Sequence, residues 1–469
     1  MCRQFIGIDT SPQSGTREAA LWLQKLAISY EMKVEVQEET LNGIEQANIF
    51  IRRDGSSSES NVDSSLESNN ESTIGAMTQA APSKKEEFLL LSHFDTADPG
   101  SPSLWTENML NPFHGIIKDG KLYGLGACEA KIDLICKIEA LNSFDVKQKW
   151  KIEPVVVGTF GEELGMHGLL RAMRKNKFST KLALVGEPSG QRLIYAGKGY
   201  AVLDFYIPFS KEERKYRIEH NLKESVSTQS KLFKGTATHS SDGLGVENAI
   251  NKAMEYLIQI PESIVIMEIE GGSNHNMVAS HATLEIDVNA GVSDPMVKKL
   301  RFIYGLMQEI GSDFLINRDE EFNPGHPTMN LGLIKSHEDH VHITVACRFP
   351  PSVNENDYNS WLDRVQIATT KVGGECRVSD YKRPYRTDLN SDFVKTCLNV
   401  LSSKDMIAEC VALPTCTEMT LLERKGIVSL GFGAGTRKDS PSFSNQFVNI
   451  NDLEKSIEFY KAMIERVCL

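Results

Sequence analysis

The sequence predicts an α/β protein: a mostly parallel sheet with helices on both faces, interrupted by a smaller α+β domain. Three observations predict it. Short continuous apolar runs at 88–91, 155–159 and 182–185 alternate with helical patterns at 131–143 and 168–175. A run that is apolar throughout marks a strand buried on both faces, and strands alternating with helices build a covered parallel sheet. From Tyr200 the texture changes: Ala201, Leu203, Phe205 and Ile207 alternate with Val202, Asp204 and Tyr206, and residues 283–288 and 342–347 behave alike. That period of two suits an antiparallel sheet with one solvated face, covered by the helical patterns near 246–258 and 294–311. After about residue 378 the buried-run style returns at 427–431. An α/β domain over 1–197 and 378–469 is therefore expected, with the α+β domain inserted at 198–377.

Residues 13–32 open the chain as an amphipathic helix, with Ala19, Leu21, Leu23, Leu26, Ala27 and Tyr30 at helical spacing. Residues 54–87 differ in kind. They are rich in Ser, Asn and Glu, lack aromatics, and carry seven acids against Lys84 and Lys85. Such a stretch buries too little apolar surface to offset its ordering entropy, so it is expected as a disordered acidic insertion. The last helix, over 453–467, sets Leu453, Ile457, Tyr460, Ile464 and Val467 on one stripe.

At 469 residues the chain exceeds one compact core, and 41% hydrophobic with 24% charged residues describes a soluble globular protein. A formal charge of −12 argues against nucleic acid or an anionic membrane as partner, since both need a basic face. No apolar run approaches a membrane span, and the first residues lack the apolar core of a secretory signal. Nine cysteines without Cys-x-x-Cys spacing read as reduced thiols of a cytoplasmic protein.

In open α/β sheets, ligands bind beyond the carboxyl ends of the strands. The residues found there are Ser92-His93-Phe94-Asp95-Thr96, Gly161-Glu162-Glu163 and Gly186-Glu187-Pro188-Ser189. Between the first two lies a Gly-rich turn, Gly124-Leu125-Gly126-Ala127-Cys128-Glu129, heading a helix. Five carboxylates and an imidazole would gather at one rim. Unrelieved, so many acids raise one another's pKa values; a divalent cation, most simply zinc, relieves them and turns bound water into a nucleophile. Asp133 and Glu139, farther along that helix, read as solvated or paired.

These motifs, with Asn111-Pro112-Phe113, Thr238-His239-Ser240, Gly271-Gly272-Ser273-Asn274-His275-Asn276, Arg348-Phe349-Pro350-Pro351 and Gly433-Ala434-Gly435, run through nearly the whole chain. The series resembles the M20 metallopeptidase and deacylase family, which includes acetylornithine deacetylase, succinyl-diaminopimelate desuccinylase, aminoacylase and carboxypeptidase G2. The resemblance implies a metal-dependent hydrolase of a linear amide bond. His93 and Glu187 would ligate one zinc, Glu163 a second, and Glu129 would bridge them, with cobalt or manganese as alternative ions. Asp95 would orient His93, and Glu162 would be the general base. His239, from the inserted lid and dimerisation domain of a partner chain, would stabilise the oxyanion. Asn276 and Arg348 would hold the carboxylate end of a small N-acyl amino acid or dipeptide, in a homodimer.

Two positions depart from the family pattern. The bridging residue, usually Asp, is Glu129. Where the family has a histidine completing the second metal, this chain has Ser442, with Asp439 the nearest substitute. A deacylase is the first reading and a di- or carboxypeptidase the second. A catalytically inactive relative that binds amino-acid-like ligands is the reading from another class.

Overall fold

The computed structural model describes the chain apart from residues 54–84, 223–224, 237, 239, 241–244, 263, 289–291, 294 and 437–443. Two compact units result: Met1–Tyr195 with Thr387–Val411 and Leu421–Leu469, and Ala196–Arg386 with Ala412–Thr420.

The first unit opens with α1 (Cys2–Ile6) and α2 (Arg17–Ser29), then β1 (Lys33–Leu41) and β2 (Ile44–Arg52). Asn42 and Gly43 join these strands with φ of 53° and 82°, the positive values that a two-residue hairpin turn demands. There follow β3 (Glu87–His93), β4 (Ile116–Lys118), β5 (Lys121–Tyr123), α3 (Ala130–Asn142), β6 (Glu153–Thr159), α4 (His167–Arg174), β7 (Thr180–Gly186) and β8 (Leu193–Gly197). Of the expected acidic insertion, residues 85–87 are described. Glu87 is buried as the first residue of β3 and pairs with Arg52 at 2.8 Å, a partner no local pattern reveals. Residues 54–84 of that expectation lie outside the described residues.

The second unit contains β9 (Gly199–Pro208), α5 (Lys211–Glu219), β10 (Gln229–Lys234), α6 (Ala249–Gln259), β11 (Ile264–Gly271), β12 (His281–Val288), α7 (Met296–Phe314), β13 (Thr328–Ser336), β14 (His340–Phe349), α8 (Glu355–Lys371), β15 (Glu375–Lys382) and β16 (Tyr385–Arg386). Its sheet runs β10-β12-β11-β13-β14-β9-β15 and is antiparallel throughout. Phe205 and Ile207 of β9 and Ile343 and Val345 of β14 share one core with Ile250, Met254, Leu300 and Ile303 of α6 and α7. Local chemistry starts the helices: Asn248 caps α6, and Asn354 with Asp357 forms a capping box on α8.

The chain then supplies α9 (Asp392–Ser403), β17 (Cys410–Leu413), α10 (Met419–Glu423), β18 (Val428–Phe432), β19 (Phe447–Asn449) and α11 (Ile450–Cys468). The first unit's sheet runs β1-β2-β6-β3-β7-β18-β8. It is mixed: β6, β3, β7 and β18 are parallel, β2 and β8 flank them antiparallel, and β1 pairs antiparallel with β2. Every residue of β3 is buried, as a strand covered on both faces must be. A small sheet, β19-β5-β4, fixes the chain just before α11.

Candidate active site

The ends of β3, β6 and β7 and the start of α3 carry the expected polar residues. His93 and Asp95 are 5% and 6% exposed, so their charges depend on partners. His93 Nδ1 lies 3.2 Å from the Asp95 carbonyl oxygen and 3.5 Å from Asp95 Oδ1. With acceptors on that side, the proton belongs on Nδ1, and Nε2 is the nitrogen with a lone pair. The other Asp95 oxygen accepts from the Glu163 N–H at 3.1 Å, which ties the β3 and β6 ends together.

Glu129 is the N-cap of α3, yet its side chain caps nothing; Oε1 lies 3.9 Å from Cys128 Sγ. The Glu163 carboxyl is pushed up to about 8, first by desolvation, then by the negative charges of Glu162, Glu129 and Asp95, with His93 opposing. The residue as a whole is exposed. Glu187 is 4% exposed, and its N–H donates to the Phe432 carbonyl at 3.2 Å.

Glycines allow this gathering. A Cβ on Gly433 would stand 2.5 Å from the Glu187 carbonyl oxygen, and one on Gly435 would stand 2.0 Å from that of Cys128. The loop after β18 therefore seats itself against both carboxylate-bearing turns by lacking side chains. From the C-terminal side, Gln446 accepts from the Gly124 and Gly126 N–H groups through its carbonyl and its Oε1, at 3.0 and 2.6 Å.

A buried network that the sequence reading missed lies under the rim. Lys137, fully buried, pairs with Asp133 at 2.8 Å and donates to Ser92 Oγ at 2.8 Å. Ser92 Oγ donates to Asp133 Oδ2 at 3.0 Å, and the Tyr460 hydroxyl donates to Asp133 Oδ1 at 2.7 Å. Between solvation and pairing, Asp133 takes pairing, and Glu139 accepts from the Tyr30 hydroxyl at 2.8 Å. Opposite charges at i, i+4 in a mostly apolar helix were the available signal.

His93, Asp95, Glu129, Glu162 and Glu163 thus share one electrostatic neighbourhood. In kind these donors suit zinc; in position they do not close around it. Among the described residues no three His, Cys, Asp or Glu side chains converge on a point where an ion would sit. Uncompensated carboxylates repel, and Glu129 is one methylene longer than the expected bridge. Ser442 and Asp439 lie outside the described residues.

Asn276 and Arg348 belong to the second unit. The Tyr200 hydroxyl donates to Asn276 Oδ1 at 2.9 Å, and the Arg348 guanidinium sits 5.1 Å from the Tyr200 ring centre. Lys198, 1% exposed, donates to the His326 carbonyl at 2.8 Å; burial and then the charge of Arg348 lower its pKa to about 8. Tyr200 and Lys198 were not foreseen, although Lys198-Gly199-Tyr200 directly opens the alternating strand. His239 lies outside the described residues.

The chain is 32% and 34% identical over 114 residues to acetylornithine deacetylases of Buchnera aphidicola subsp. Schizaphis graminum and Proteus mirabilis, 24% of its own length. It spans only 28% of those relatives. Among solved structures, an M20 family metallo-carboxypeptidase from Sulfolobus solfataricus superposes with a TM-score of 0.58 at 16% identity, over 99% of this chain and 97% of that one. An aminoacylhistidine dipeptidase from Vibrio alginolyticus gives 0.57 at 15% identity, over 99% and 96%. These structures share the fold. The sequence profile of peptidase family M20/M25/M40 matches residues 89–466, from within β3 to within α11. The chain belongs to that family.

Proposed function

We propose that this protein hydrolyses a linear amide bond in a small substrate, an N-acyl amino acid first and a dipeptide second. The gathering of Glu162, Glu163, Glu129, Asp95 and His93 at the strand ends carries the reading. Glu162 is assigned as the general base that takes a proton from the attacking water and passes it to the leaving amine. Asp95 holds the His93 ring. Arg348 and Asn276 bind the substrate carboxylate, Arg348 as a planar fork suited to two parallel hydrogen bonds. His239 is assigned to the oxyanion, from the partner chain of a homodimer. The resident metal is proposed to be zinc, one ion or two: His93 and Glu187 would hold the first, Glu163 the second, and Glu129 would bridge them. Nine free thiols support a reducing, cytoplasmic setting, and no helix among the described residues is long and apolar enough to cross a membrane.

Hydrolysis of acetylated amino acids and of dipeptides by wild type and Glu162→Gln is the test. The variant is expected to lose ~10²–10⁴-fold in turnover with an unchanged urea midpoint, the range general-base catalysis supplies. Equal rates in the two proteins would remove Glu162 from the mechanism.

The departures from the family pattern at Glu129 and Ser442 favour one second reading, a relative that binds amino-acid-like ligands without hydrolysing them. Elemental analysis of protein purified without chelator separates the two. One or two metals per chain support the hydrolase. A value near zero that persists after dialysis against zinc supports the binder.

A further inference from the structure

The second unit holds a cavity of about 290 Å³ between the N-terminus of α6, the C-terminal half of α7 and the start of β13. That volume is near the lower end of small-ligand pockets and far beyond the ~10–15 Å³ that admits one water. Met307 and Phe314 of α7 and Leu331 of β13 form buried apolar walls. Gln308 is exposed and Gly311 half-buried, so the cavity reaches solvent along α7.

Two polar atoms of the lining have no partner. Ser240 is 8% exposed and its Oγ makes no hydrogen bond, and Asn251 Oδ1 is buried and accepts none. Their neighbours are satisfied: Asn248 Nδ2 donates to Asn330 Oδ1 at 3.1 Å, and Asn330 Nδ2 donates to the Met277 carbonyl at 2.9 Å. Buried polar atoms left unpaired are costly and rare. Gly311 is an independent sign. Glycine weakens a helix interior and usually serves there where another group approaches closely. At Gly311 a Cβ would meet nothing within 4 Å, so the missing side chain leaves open space instead of admitting a neighbour.

The described lining holds no Asp, Glu, Lys or Arg, so a charged ligand would enter without a counter-charge from them. The Tyr304 phenol, pushed up to about 12 by burial and then by the charge of Glu255, stays neutral. We propose that this cavity binds a small uncharged amide. Such a group offers the N–H that Asn251 Oδ1 lacks and the carbonyl that the Ser240 hydroxyl lacks, and its hydrocarbon part suits Met307 and Phe314. The Ser240 N–H donates to the Asn276 carbonyl at 2.8 Å, so an occupant held by Ser240 is one hydrogen bond away from that residue.

The experiment is saturation-transfer NMR on the full chain with isobutyramide and isobutyrate, probes of one skeleton that differ in charge. Isobutyramide is expected to bind saturably with a Kd on the order of millimolar, the reach of so small a ligand. Isobutyrate is expected to bind at least roughly tenfold more weakly. Gly311→Leu, whose side chain enters the open space, is expected to abolish amide binding with an unchanged circular dichroism spectrum. Ser240→Ala is expected to weaken it roughly 2–10-fold, the worth of one hydrogen bond. No saturable amide binding, equal binding of the two probes, or equal amide binding by wild type and Gly311→Leu would overturn the proposal. Should Gly311→Leu lose the wild-type spectrum, Ser240→Ala decides, and an unchanged Kd there is equally fatal. Binding is read and not turnover, with the strand-end residues intact in every chain, so neither outcome depends on the hydrolase reading.

Discussion

Gly435 shows how a single missing side chain positions this site. Its Cβ would overlap the Cys128 carbonyl oxygen at 2.0 Å, and the three nearest atoms all belong to the Cys128 backbone. Backbone cannot yield as a flexible side chain can. Gly435→Ala is therefore expected to cost ~1–3 kcal/mol, the range for overpacking, and to displace Glu129 with the Cys128 turn. Urea unfolding together with hydrolysis rates measures both effects. Gly311 in α7 is the contrast, since nothing lies within 4 Å of a Cβ there. Gly311→Ala is expected to raise stability by up to ~1 kcal/mol through helix propensity alone. An equal loss at both positions would show that close approach is not what matters at Gly435.

The decisive element is α3. It is apolar and buried along most of its length, yet it carries Asp133 and Lys137 into the interior. Their network reaches Ser92 beside His93 and ends at Tyr460 of α11. Gly186, the residue before Glu187, leaves room for it, since a Cβ there would stand 2.6 Å from Asp133 Oδ2. Removing one charge strands the other in a dry environment. Lys137→Met is expected to cost ~3–5 kcal/mol, whereas Asp133→Leu with Lys137→Met should restore much of that loss. Chemical denaturation of the single and double variants decides it. A double variant no better than the single would show that packing, and not charge balance, holds the helix in place.

For the whole molecule, Lys198 sets a pH dependence. Its pKa is about 8 in the fold against an ordinary value near 10.5, because burial and then Arg348 disfavour the cation. Below pH 8 the folded protein carries a buried ammonium at full cost. Between about pH 8 and 10.5 the unfolded chain holds the proton that the folded one has released, so this residue's contribution to stability rises with pH. Lys198→Met is therefore expected to be more stable than wild type at pH 7, with the difference shrinking toward pH 10.5. Denaturation curves at both pH values check this, and a difference independent of pH would assign Lys198 a packing role only.

Sequence alone determined the fold class, because periodicity is a local property: the all-apolar 88–91 run became the fully buried β3, and the alternation at 200–207 became β9. It also put His93, Glu162, Glu163 and Glu187 after strands and Glu129 at the head of a helix, since strand ends follow from the runs themselves. The Asn42-Gly43 turn was legible and went unread. Other features depend on partners far along the chain: Gly435 against Cys128, Gln446 on Gly126, Tyr460 on Asp133 and Arg52 on Glu87. No local pattern encodes such pairs. Only the tertiary structure decided that Asp133 is paired and that β2 and β8 run antiparallel to the central strands, with β1 turned back against β2. Strand direction and charge pairing are set by how distant segments pack, whereas periodicity records only which face of an element is buried.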